Sequence, residues 1–88
     1  MTTKPPSSVR PASGQTLEAI AYASVAGIPT VEPHDQDRLG FNIWNWLKSR
    51  RDPLEIAFRS AGARLLISEE EALERVRARL RGSGIALE

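Results

Sequence analysis

Few residues in this sequence carry side chains able to do covalent or acid–base work. His34 is the single histidine and there is no cysteine, so a histidine cluster or a thiolate metal site cannot form within one chain. Asp35 and Asp37 follow closely after His34 and together the three could hold a metal weakly. The plainer reading is a loop histidine beside a helix cap. Ser24 has no evident general base except His34, and in its alanine-rich setting it reads as a small core residue. The carboxylates between Glu69 and Glu74 are spaced for capping and solvation rather than for a catalytic pair. Gly82-Ser83-Gly84 follows a helix, the wrong side for a phosphate-cradling loop. The expectation is a non-enzyme with no catalytic residue, no metal and no cofactor.

The charged residues raise a second possibility. Twelve basic and eleven acidic groups leave a net charge of +1, too little to draw nucleic acid or an anionic membrane to the molecule as a whole. The basic groups are nonetheless clustered, in Lys48, Arg50 and Arg51 and again in Arg75, Arg77, Arg79 and Arg81. Lys48, Arg50, Arg51, Arg75 and Arg79 could contact phosphates if they shared one face. Both clusters also close a helix, where cations complement the negative end of the dipole. The spacing from Ala23 to Gly27 has the look of a helix-turn-helix, but Pro29 and Pro33 fall where a recognition helix should run.

The aromatic residues give the third possibility. Trp44 and Trp46 are two positions apart, about 200° on a helix, so they cannot share the centre of one narrow stripe. Trp46 joins Leu39, Ile43 and Leu47, while Trp44 lies toward the edge with Phe41. That apolar arc spans roughly 220°, more than one packing partner requires. Tryptophans at such edges serve as interface anchors. Phe41, Trp44 and Tyr22 are therefore the candidate protein-contact residues. The function expected is a non-enzymatic protein–protein interaction module binding another protein or itself, a homodimer being one form. The alternative is a small nucleic-acid-associated protein using the Arg/Lys clusters at helix ends.

Four helices position these residues. The first is expected from about Leu17 to Ala26, capped by Thr16 or Ser13 and ended by a left-handed Gly27. Ile28 to His34 reads as a proline-bounded loop. The second helix is expected after Asp35, its cap, to near Arg50, or from Phe41 if Gly40 interrupts it. Asp52-Pro53-Leu54-Glu55 signals a cap, a proline in the first turn and a glutamate for a third helix of about nine residues, stopped by Gly62. Ser68-Glu69-Glu70-Glu71 is a capping-box pattern opening a fourth helix that ends at Gly82 and Gly84, with Ala72, Leu73, Val76 and Leu80 as its buried stripe. Ala63 to Ile67 is open between a buried connector and a short strand, whose mate would be Gly27 to Val31 or another chain.

The fold class expected is thus all-α, a small bundle of about four short helices, with the extended segment before the last helix left open. Residues 1–13, holding Pro5, Pro6 and Pro11, read as a disordered arm. Residues 14–82 form one helical domain and 83–88 a flexible tail. The N-terminus lacks an apolar run of signal-peptide length, and no stretch approaches the ~18 apolar residues of a membrane span. With no cysteine, a cytoplasmic location without membrane contact is expected.

Overall fold

The computed structural model describes residues 16–87, so the arm expected over residues 1–13 lies outside the described residues. Four helices follow one another: α1 Leu17–Val25, α2 Pro33–Ser49, α3 Leu54–Ser60 and α4 Glu69–Gly82. Helix α1 packs against α2 and α4, and α2 packs against α3. The fold is the all-α bundle that the periodicity predicts.

Helix α1 starts where Thr16 lends its hydroxyl to the amide of Ala19, 3.0 Å away. Its end differs from expectation. Ala26 closes it in right-handed geometry, and Gly27 is not among the left-handed glycines. The carbonyls there are satisfied from elsewhere, so no reversal of the chain is needed. Gln36 Nε2 donates to Ala26 and Ile28, Arg75 to Gly27 and Arg79 to Ala23. Helix α1 has no basic residue in its own last turn; two arginines from α4 bring the positive charge that a helix C-terminus favours.

Helix α2 begins earlier than Asp35. Pro33 occupies its first turn, where a missing N–H costs nothing, and Glu32 is the N-cap. Asp35 stands three residues in, its Oδ2 accepting the Glu32 amide at 3.0 Å in a reciprocal capping box. Gly40 does not interrupt the helix. Its lack of a side chain lets α1 approach: a Cβ there would overlap the Tyr22 ring. Gln36 meets the end of α1 while Gly40 meets Tyr22 one turn before it, so the two helices run antiparallel.

Beyond α2, Arg50 takes a left-handed conformation (φ 53°). Pro53, not Asp52, is the N-cap of α3, with no side-chain cap bond, and α3 is seven residues long. The backbone of Asp52 is used instead: its carbonyl accepts the Trp46 indole N–H at 2.6 Å. Gly62 ends this unit, the stop expected of it, and does so in left-handed geometry (φ 63°).

The connector forms no named strand. Thr30 and Leu65 make one isolated antiparallel bridge, flanked by Val31 N–H to Arg64 and Leu66 N–H to Pro29. The mate is the segment after α1, one of the two options open from sequence. Ser68 then caps α4, accepting from the Glu71 amide at 3.1 Å. The Glu71 side chain pairs with Arg75 at 3.0 Å, one helical turn further on.

The core is a single cluster. Ile43, Val76, Leu80 and Ala21 are fully buried in it, and Leu39, Trp46, Leu54 and Phe58 are nearly so. Ile85 and Leu87, within the expected tail, pack against the same cluster.

Candidate protein-interaction surface

Helix α2 presents three faces, each set by its position on a 3.6-residue turn. Leu39, Ile43, Trp46 and Leu47 point into the core. On a second side, Asn42 reaches across to α3 and donates to the Ala57 carbonyl at 3.1 Å. The third side carries Asp37, Phe41, Trp44 and Lys48. At 100° per residue its centre lies about a quarter-turn from the line of Gln36 and Gly40 that meets α1.

Phe41 is 50% exposed. Its ring meets Trp44 edge to face, with centroids 6.2 Å apart and planes 81° apart. This geometry places the positive ring edge on the negative ring face. The Lys48 ammonium lies 4.3 Å from the centroid of Trp44, a cation–π contact that holds the charge beside the rings. Trp44 is half-buried, packed on one side against the core cluster. Tyr22, the third aromatic candidate, is also half-buried, its ring spent largely on covering Gly40. The structure therefore brings Phe41 and Trp44 together and uses Tyr22 mainly as the α1–α2 contact.

Other large apolar side chains are exposed elsewhere. Ile56 is on α3, and Val31 and Leu66 flank the Thr30–Leu65 bridge on the side opposite that pair. Sequence periodicity gave no sign of Val31 or Leu66, because a single bridge has no repeating pattern. Asp37 was considered only beside His34; its 4-3-4 spacing with Phe41, Trp44 and Lys48 is the signal that joins it to this face.

The cationic candidates have separate anchors. Arg50 stacks over the Trp46 ring, 4.5 Å from its centroid, and donates to the Ala86 carbonyl. Arg75 bonds Gly27 and Glu71, and Arg79 bonds Ala23. Lys48 is on Trp44, and Arg51 is exposed. The structure thus brings Arg75 and Arg79 together on the end of α1 and sets Lys48 and Arg50 on the two indoles.

Among the described residues no group of three potential metal-ligating side chains is found. Asp35 is fully buried and committed, with Arg64 Nη2 3.2 Å from its Oδ2. Burial alone would raise its carboxyl. The side-chain and backbone hydrogen bonds of Arg64, the Glu32 amide and the Arg64 charge outweigh burial and hold it below the ordinary 3.8. A cleft of about 330 Å³ is lined by Leu39, Phe58, Ala63 and Leu65, with Arg59 and Glu69 at its polar side. Those two bond each other, and Glu69 holds the Arg59 guanidinium still more firmly protonated. Among the described residues no helix is long and apolar enough to cross a membrane.

No family model, no curated protein and no solved structure matches this chain.

Proposed function

We propose that this chain is a non-enzymatic protein-interaction module that docks through the Phe41–Trp44 face of α2, in the cytoplasm. One observation carries the reading: Phe41 stands half-exposed, edge-on to Trp44, on a side of α2 that faces away from the buried Leu39, Ile43, Trp46 and Leu47. A rigid aromatic pair offers large apolar area for little conformational entropy, which is why aromatic side chains anchor interfaces. With no cysteine the chain has no disulfide staples, which fits a cytosolic protein better than a small secreted one.

The phosphate-binding alternative ranks second. Arg50, Arg75 and Arg79 already donate hydrogen bonds to carbonyls within the chain, so binding nucleic acid through them would give up internal contacts. The two readings separate by salt. Docking through rings persists as ionic strength rises, whereas phosphate binding weakens steeply.

The test is a photo-crosslinking side chain placed at position 41 in the protein's own cells, with exposed position 81 as the control. Protein adducts at 41 that survive high salt and are absent at 81 support the proposal. Equal labelling at both positions, or adducts to nucleic acid alone, would overturn it.

A further inference from the structure

We propose that the occupant of the Phe41–Trp44 face is the same face of a second copy of this chain, with the two α2 helices antiparallel about a two-fold axis. This inference rests on the interaction-module reading and names its partner.

The argument comes from the order of residues along the strip. Asp37, Phe41, Trp44 and Lys48 recur at intervals of four, three and four, the spacing that keeps side chains on one seam of a helix pair. The strip is about 16 Å long at 1.5 Å per residue. Its aromatic pair is equidistant from the midpoint between Asn42 and Ile43, and so are its two charges. Rotate a second copy by 180° about that midpoint and each residue meets its complement. Phe41 faces the Trp44 of the partner subunit, and Asp37 faces the Lys48 of the partner subunit. A two-fold interface must be complementary to itself in this way. A parallel pairing would set Asp37 against Asp37 and Lys48 against Lys48.

Two structural details favour the antiparallel arrangement. Lys48 is held over the Trp44 ring, which fixes the cation at the end of the aromatic pair, where an incoming carboxylate would arrive. Antiparallel neighbours also oppose their helix dipoles. Asp37, Phe41 and Lys48 are all exposed, so the second copy needs no rearrangement of the bundle. The rings supply the buried apolar area and the charges set the direction of pairing. With so short a strip the dimer should be weak, with a dissociation constant on the order of 10–100 µM.

Sedimentation equilibrium of the full chain tests this with two single charge reversals. Asp37→Lys leaves lysine at both ends of the strip, and Lys48→Asp leaves aspartate at both ends. Each variant alone should dimerise about tenfold more weakly than wild type, because like charges now face each other. An equimolar mixture of the two should recover association, and so should the double variant carrying both reversals. Both positions are exposed, so circular dichroism should show both variants folded. A wild-type chain that stays monomeric at millimolar concentration would overturn the inference. So would a dimer indifferent to the reversals, or a mixture that fails to recover. The two readings fail separately. A monomeric chain whose position 41 still crosslinks to a different protein removes the self-pairing and keeps the interaction module. A chain with neither dimer nor adducts loses both.

Discussion

Trp44 and Trp46 share a helix and are two residues apart, yet their surroundings are opposite. Trp46 is 5% exposed, donates its indole N–H to Asp52 and lies under the Arg50 guanidinium. Trp44 is half-buried, with Phe41 at one edge, and its indole makes no hydrogen bond among the described residues. A cation covers each ring, but Arg50 also joins the tail while Lys48 makes no hydrogen bond or ion pair among the described residues. The comparison shows one residue type divided between holding the bundle together and facing outward, the division set by 200° of helical rotation.

That division predicts unequal responses to the same substitution. Trp46→Ala should cost about 3–5 kcal/mol of stability by urea denaturation, from lost burial, an emptied volume and an unpaired Asp52 carbonyl. If Trp44→Ala cost as much, the division would be wrong.

Asp35 sharpens the comparison from the other end of α2, where stability rests on a buried charge rather than a ring. Its folded-state carboxyl lies below the ordinary 3.8, so its contribution is present above that value and is lost as pH falls through the lower, folded one. Wild type should therefore lose stability on acidification below about pH 4 more steeply than Asp35→Asn, which should be weaker near neutrality. Parallel pH profiles from thermal melts would show that the carboxylate does not act as described.

Gly40→Ala probes the contact between α1 and the side of α2 next to Trp44. The added methyl meets the Tyr22 ring and should cost about 1–3 kcal/mol, most of it recovered in a Tyr22→Ala background. A cycle showing simple additivity would mean that the ring and Gly40 are not in close contact. The smallest effect belongs to the outward side. Phe41→Ser should change monomer stability by less than about 0.5 kcal/mol while reducing the position-dependent association described above.

What sequence reading recovered, and what it missed, follows from the range of the forces involved. The buried stripe of α4, the Gly62 stop and the inward set around Trp46 depend on residues within two turns, and each was legible. Gly27, Gly40 and Asp52 were misread for one reason: their roles are set by residues far along the chain. Arg75 and Arg79 satisfy the end of α1, so Gly27 need not turn left-handed. Tyr22 needs the space at Gly40, which looked like a break in the helix. Trp46 takes the Asp52 carbonyl, while Pro53 opens α3. Asp35 looked like a cap because Glu32 is a rarer one, and its partner Arg64 stands 29 residues away. On the candidate surface, the aromatic pair was visible as an excess of apolar arc. The exposed Val31 and Leu66 were not, since nothing local distinguishes them from core residues.

Arg50 carries a consequence of its own. Its backbone sits in the left-handed region that a side chain with a Cβ disfavours by ~1 kcal/mol, and glycine would suit that dihedral better. The same residue reaches out with its guanidinium to Trp46 and to the carbonyl of Ala86. Arg50→Gly would thus relax the elbow between α2 and α3 and at the same time remove one polar tie between the C-terminal segment and the bundle. One position exchanges local comfort for a clasp, a polar tie added to the apolar packing of Ile85 and Leu87 that already seats the C-terminal segment.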